Sequence, residues 1–155
     1  MNTKELNQKL LFFINPGNKL IFQNMFILGS PWESDVIQVN KSLTYYEYEL
    51  KVSRQDFFAD LKKRVSKWGK NAEKLKCDYY AGRETWKKYD RKIPKPSKFF
   101  YVIPENLLDI NEVPDYTGLI EVGSYTKITK PAKKLKGTKL SEEQLWNLSM
   151  KLSNK

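Results

Sequence analysis

Leu43-Thr44-Tyr45-Tyr46-Glu47-Tyr48-Glu49-Leu50-Lys51-Val52-Ser53-Arg54-Gln55-Asp56-Phe57 is the stretch on which the fold turns. Its aromatic and β-branched content predicts a strand over residues 43–52, and a period of two sorts the side chains. Thr44, Tyr46, Tyr48, Leu50 and Val52 share one face, which reads as a core face. Tyr45, Glu47, Glu49 and Lys51 share the other, so two carboxylates and an ammonium line up within about 14 Å. A helix follows at once. Ser53 and Asp56 form a Ser-x-x-Asp capping signature, and Phe57, Leu61, Val65 and Trp68 recur at helical spacing until Gly69.

Upstream, residues 2–15 predict a first helix, with Asn2 as cap, Glu5 at the third position and Leu6, Leu10 and Ile14 at spacing four. Strands are expected over residues 19–28 and 35–39, separated by Gly29-Ser30-Pro31, and Asn40-Lys41-Ser42 reads as a turn. Downstream, residues 71–98 are irregular, basic and aromatic. The apolar run 99–103, closed by Pro104, suits a central buried strand, and residues 118–122 form another. A basic stretch over 126–139 leads to a last helix capped by Ser141, with Gln144 at the third position and Leu145, Leu148 and Leu152 on its face. The order helix, three strands, helix, strand, strand, helix is an α/β (α+β) pattern with a mixed sheet flanked by helices. Residues 1–155 read as one domain, a core over about 2–123 followed by a basic arm and helix over 124–155.

The chain has 155 residues, with 28 Lys+Arg, 18 Asp+Glu and no His, giving a formal charge of +10. Its single cysteine, Cys77, allows no internal disulfide and no zinc cage. Without histidine, Ser-His-Asp triads, Cys-His proteases and zinc hydrolases are excluded. Catalysis would fall to carboxylates, Lys, Tyr, Ser/Thr or a hard metal ion held by oxygens. The positive surplus points to a polyanionic partner, and 4 Trp, 9 Tyr and 8 Phe supply rings for stacking as well as for a core. No run approaches the ~18 apolar residues of a membrane span, so a soluble cytoplasmic protein without a membrane partner is expected. A homodimer is left open.

Asp35, Glu49 and Lys51 are the candidate site. Asp35 opens one strand and Glu49-Leu50-Lys51 ends the next, so hairpin pairing would bring the carboxylates together. Close carboxylates repel, and oxygen-only ligands suit Mg²⁺ or Mn²⁺. A lysine beside that metal can orient a water or neutralise charge on phosphorus, which makes phosphodiester hydrolysis the natural reaction class. The same residues also read as solvated cross-strand charges. Glu47 is either a supporting acid or a solvent-facing charge at the sheet margin.

Arg83, Trp86, Lys87, Lys88, Arg91 and Lys92 interleave cations with rings, as a nucleic-acid groove needs, or form a wet loop. Lys62 and Lys63 lie on the polar side of the second helix and Arg54 at its start, and all three are candidate phosphate contacts. Lys130, Lys133, Lys134, Lys136 and Lys139 make a cationic arm able to track a backbone. Gly118 to Gly123 has the glycine spacing of a phosphate loop, but Ser124 stands where Lys is required.

The order of helix, Asp35 at a strand start, Glu49-Leu50-Lys51 and a following helix resembles the core of the PD-(D/E)XK nuclease superfamily. The run from Glu49 through Val52-Ser53-Arg54 to Asp56-Phe57 is similar to the MmcB-like DNA-repair branch. Phe99-Phe100-Tyr101-Val102-Ile103-Pro104 and Gly118-Leu119-Ile120-Glu121-Val122 resemble its two later strands. The resemblance spans about residues 2–123 and implies a restriction-endonuclease-like αβββαβ core. It implies Mg²⁺ (or Mn²⁺) between Asp35 and Glu49, Lys51 assisting the attacking water, and an extra acid at Glu5. Ser34 stands where the superfamily's name has proline, and the basic insert over residues 83–98 is longer than usual for the branch. The function implied is Mg-dependent hydrolysis of DNA phosphodiesters in repair, recombination or phage-related DNA processing, with RNA left open. A non-catalytic nucleic-acid-binding module on the same fold is the alternative expectation.

Overall fold

The computed structural model describes residues 1–15, 17, 19–60, 64–65, 70–71, 76, 79–82 and 93–153. Helix α1 (Thr3–Ile14) starts where expected: the Asn2 side chain accepts the Glu5 N–H at 2.8 Å. Leu6, Leu10 and Ile14 are its buried stripe. Three strands follow, β1 (Leu20–Met25), β2 (Ser34–Val39) and β3 (Tyr45–Leu50), paired antiparallel in sequence order. The β2–β3 turn is tight, and Leu43 adopts a left-handed backbone with φ of 67°.

After β3 come α2 (Arg54–Asp60) and a small antiparallel pair, β4 (Arg64–Val65) with β5 (Lys70–Asn71). Then come β6 (Lys98–Pro104), a 3-10 turn (Ile110–Glu112), β7 (Gly118–Val122), β8 (Thr126–Lys130) and α3 (Glu142–Ser153). The six-stranded sheet runs β1-β2-β3-β6-β7-β8, with β6 parallel to both β3 and β7 and every other pairing antiparallel. It is a mixed sheet flanked by helices, an α+β architecture as expected.

Both faces of the sheet are covered. On one, α1 lays Leu6, Leu10 and Ile14 over Val36, Tyr48, Leu50, Phe100, Val102 and Ile120. The other face divides in two. Toward β1, α3 packs Leu148 on Phe22, Ile37, Val39 and Tyr45. Toward β7, Phe57 of α2 and Tyr79-Tyr80 cover Phe99, Tyr101 and Leu119. The rings of Phe57, Phe99 and Tyr101 meet edge to face at about 5 Å, the geometry their quadrupoles favour.

Three expectations are corrected here. The second helix is described over Arg54–Asp60, and Arg64-Val65, expected within it, pairs instead with Lys70-Asn71 as a short strand, while Leu61 and Trp68 lie outside the described residues. Apolar residues spaced for a helix face do not exclude an extended segment, and β-branched Val65 followed by Gly69 is the local cue for one. The basic stretch, read as an arm beyond the core, contributes a strand to the sheet. Thr126–Lys130 extends the sheet along β7, Lys133 N–H donates to Tyr116 O, and Leu135 N–H donates to Ser97 O. In α3, Ser141 and Gln144 form the expected reciprocal cap, but Leu152 is exposed while Leu148 carries the packing.

The Gly118–Gly123 segment is a strand rather than a phosphate loop. A Cβ at Gly118 would collide with the Phe100 ring, so close packing explains that glycine. Leu10, with no exposed surface at the centre of the α1 contact, is the sensitive point of this layer. Leu10→Ala should lower unfolding free energy by about 2–5 kcal/mol in denaturant titration, whereas Phe12→Ala, on the opposite side of the helix at 86% exposure, should leave it within about 0.5 kcal/mol.

Candidate functional site

The pairing of β2 with β3 places Val36 opposite Tyr48 and Ile37 opposite Glu47. Continued by one step, that register sets Asp35 opposite Glu49, on the face away from α1. Asp35 Oδ2 accepts the Leu50 N–H at 2.8 Å, which fixes the carboxylate against the end of β3. Lys51 N–H in turn donates to Val102 O, continuing the parallel pairing one residue past the strand. Its Nζ lies 3.3 Å from Glu49 Oε1. Asp35, Glu49 and Lys51 are therefore brought together at one point of one sheet face.

Glu47 was a candidate for a wet margin, and its position corrects that. It has no exposed surface, because α2 and Tyr79-Tyr80 roof this part of the sheet. Lys76 compensates it. Its Nζ sits 2.5 Å from Glu47 Oε2 and 3.4 Å from Glu49 Oε2, and 4.8 Å from the centroid of Phe99. Tyr80 Oη donates to the other Glu47 oxygen at 2.5 Å and accepts from Trp32 Nε1 at 3.0 Å. Burial and the neighbouring Glu47 push the Tyr80 phenol well above its ordinary range, so it stays a donor. The carboxylates thus form a gradient, with Glu47 sealed, Glu49 nearly so, and Asp35 half-buried at the open end.

Lys76 is the residue that sequence reasoning missed. It lies in an irregular basic stretch where nothing in spacing or composition separates it from the other lysines. Two retrospective cues exist: Glu47, set between Ile37 and Phe99, needs a counter-charge, and Tyr79-Tyr80 nearby mark a buried segment.

Burial and repulsion from Glu49 push the Asp35 carboxyl up to about 7, against the opposing pull of the Leu50 N–H, Lys76 and Lys51. Such a carboxyl is one that a cation would displace a proton from. The donor set fits a hard divalent ion. Asp35 and Glu49 present oxygens only, and each carboxylate oxygen keeps a lone pair beyond the contact it makes. Among the described residues no group of three or more acidic, His or Cys side chains forms a closed cage. Two carboxylates with waters and phosphate oxygens completing the shell is the usual manner of Mg²⁺.

The remaining candidates fall elsewhere. Glu5 is exposed on α1, on the layer across the sheet, and is not brought to Asp35 and Glu49. Arg54 is not a free phosphate contact. Its guanidinium makes a bidentate pair with Glu112 at 2.7 and 2.8 Å and stacks over Phe58, clamping α2 to the loop after β6. That pairing holds the half-buried Glu112 carboxyl down at about 2. Lys62, Lys63, Arg83, Trp86, Lys87, Lys88, Arg91 and Lys92 lie outside the described residues.

The raised Asp35 carboxyl has a consequence for stability. Between the unfolded value of 3.8 and the folded value of about 7, the folded chain keeps a proton that the unfolded chain has lost. Stability from this group is therefore full below about pH 4 and declines until about pH 7. Asp35→Asn keeps the acceptor for Leu50 N–H and removes the titration. With divalent cations chelated, it should raise the melting temperature by several degrees at pH 8 and by clearly less at pH 4.5. An equal change at both pH values would contradict the assignment.

No family model matches the chain, and no curated protein matches it. Among solved structures it is similar to a protein of unknown function from Silicibacter pomeroyi, at 17% identity and a TM-score of 0.57 over 96% of this chain and 82% of that one. That likeness concerns the fold. Among the described residues no helix is long and apolar enough to cross a membrane.

Proposed function

We propose that this chain is a divalent-cation-dependent nuclease of PD-(D/E)XK type that hydrolyses DNA phosphodiester bonds. One observation carries the reading: Asp35 and Glu49 face each other across β2 and β3, with Lys51 Nζ 3.3 Å from Glu49. Asp35 and Glu49 are the residues that would hold Mg²⁺ or Mn²⁺. Bound there, the ion supplies Lewis acidity toward a phosphate oxygen and toward water.

The chain's own groups do the rest. The Leu50 N–H fixes Asp35 so that its carboxylate keeps one orientation. Lys51 is almost wholly buried, and in that low dielectric its ammonium is placed to offset charge gathering on the phosphate oxygens or to orient the attacking water. Lys76 and Tyr80 hold Glu47, and Lys76 also restrains Glu49. Glu47 is a supporting acid in this arrangement and touches no substrate. The formal charge of +10 supplies non-specific affinity for the polyanion.

A specific observation favours a second reading. Lys51 and Lys76 occupy opposite oxygens of Glu49, so the cluster is already largely neutralised by the protein's own cations. A nucleic-acid-binding module that has kept the fold and lost metal chemistry would look the same.

Cleavage of single-stranded, duplex and branched DNA, and of RNA, in Mg²⁺ or Mn²⁺ separates the two. Asp35→Asn and Lys51→Ala should each lower the cleavage rate by about 100-fold or more while leaving binding in chelator unchanged. Full cleavage by both variants removes the assignment, and salt-sensitive binding with no cleavage of any substrate selects the module.

A further inference from the structure

The amino ends of β3 and β6 carry a feature that the chemistry at Asp35 and Glu49 does not use. There the β2–β3 turn, the entry to β6 and residues 134–137 enclose an open groove of about 600 Å³. Lys98, Lys134 and Lys136 line it, together with the polar side chains of Asn40, Ser42 and Thr44. No acidic side chain among the described residues lines it, and among those residues none of the three lysines makes an ion pair.

The cations stand on fixed backbone. Leu135 N–H donates to Ser97 O at 2.7 Å and Thr138 N–H to Lys95 O at 2.8 Å, lacing this segment to the entry of β6. Leu140 N–H donates to Leu43 O, which ties its far end to the β2–β3 turn. Gly137 permits the close approach, since a Cβ there would lie 2.8 Å from Ser97 N. Leu135 packs on the core beneath α2, while Lys134 and Lys136 on either side of it are exposed. Lys98 is the register partner of Tyr46, with its Nζ 5.5 Å from the ring centroid. The acids nearby belong elsewhere. Asp115 borders the neighbouring concavity beyond Lys134, where its charge acts on Lys130, and Glu143 flanks a separate one with Lys139. Glu47 and Glu49 lie on the opposite face of β3 from Tyr46.

We infer that this groove binds the phosphodiester backbone of nucleic acid, with Lys98, Lys134 and Lys136 against phosphates and Asn40, Ser42 and Thr44 as neutral donors to their oxygens. Ammonium groups beside amide and hydroxyl donors, with no carboxylate, are the usual equipment for phosphate contacts. One of the Ser42 and Thr44 hydroxyls donates to the other at 2.7 Å, which leaves the second with a proton to give. Asn40 is anchored through its oxygen by Gln38 at 2.8 Å, so its amide N–H groups are the part left to donate. Three cations exceed the charge of one phosphodiester, and the groove therefore suits a polymer of them. A laced backbone also costs less to order on binding than a loose arm. Thr44 lies seven residues before Lys51, roughly 24 Å along β3, so the groove holds the polymer well away from the reacting corner. The inference rests on the nucleic-acid reading for the identity of the polymer, and its binding is measurable without cleavage.

The full chain in chelator is titrated with fluorescein-labelled oligothymidylate, a duplex of the same length and an abasic oligomer. Lys98→Gln, Lys134→Gln and Lys136→Gln should each weaken binding about 5- to 8-fold at about 0.1 M salt. Each should also make the slope of log affinity against log salt shallower by about 0.7 to 0.9. The triple variant should lose about 100-fold or more for all three polymers, because phosphates carry the contact. Lys134→Gln/Lys136→Gln, at two exposed positions, keeps the test valid should Lys98→Gln disturb Tyr46. A control removes equal charge elsewhere: Lys9 and Lys151 donate to the carbonyls of Gly123 and Phe26, and Lys127 is the register partner of Glu121. Replacing those three by Gln should cost less than about threefold. Equal losses in the two triple variants overturn the inference, as does undiminished affinity in the groove variant. Wild-type binding that disappears with the abasic oligomer overturns it too, as does a groove variant that loses affinity for phosphatidylglycerol vesicles alone. If the groove variant binds normally while Asp35→Asn abolishes cleavage, the groove falls and the nuclease reading stands. If it binds weakly and no protein cleaves any substrate, the groove stands and the nuclease reading falls.

Discussion

Glu47 has no contact with water in the middle of a sheet covered on both faces, and the surrounding structure answers the need to compensate that carboxylate. An isolated buried carboxylate is costly by several kcal/mol even after relaxation. Lys76 and Tyr80 meet that need from one segment, Lys76 reaches on to Glu49, and Lys51 meets Glu49 from the other side. The described cluster then holds three carboxylates and two ammonium groups. It balances only when Asp35 is neutral, in keeping with the upward push on that carboxyl. Burial first, and the Glu49 carboxylate second, set the state of Asp35, and the charge count agrees with it. The pairing also makes the site specific: removing one partner strands a charge, whereas the intact set fixes how the roof of the sheet sits on β3.

The parts that local rules dictate could be read from the amino acids. Asn2 and Glu5 with Leu6, Leu10 and Ile14 marked α1, and the run from Phe99 to Ile103 marked a central strand. Alternation in β3 assigned every side chain to its correct face, which is why Asp35, Glu49 and Lys51 could be grouped beforehand. What alternation does not carry is the burial of a polar face. Glutamates at period two look the same whether water or a roof of tyrosines lies above them. Lys76 was hidden for the same reason, since its role depends on a contact across 27 residues of sequence. Arg54 misled in a related way. Its position at a helix start suits a phosphate contact, but a carboxylate 58 residues on, at Glu112, claims the guanidinium.

Two sides of the sheet thus carry different chemistry. The face under α2 concentrates charge in a dry enclosure open at Asp35, while the α1 side is a hydrocarbon layer ending in exposed rings near Gly123. Both meet at the end of the sheet where β3, β6 and β7 finish side by side. Parallel strands place their carboxyl ends together, and ligands of open sheets collect outside those ends.

The parallel pairing of β3 with β6 spans residues 51–97, a long excursion between neighbouring strands. Closing such a loop becomes only about 0.6 kcal/mol harder each time its length doubles. A change in loop length between the anchors of that excursion therefore carries little thermodynamic penalty, provided Arg54, Phe57, Lys76, Tyr79, Tyr80 and Ile93 keep their contacts. The scaffold is in this sense modular: a few side chains pin its reactive corner, and the length of chain between them weighs little on the fold.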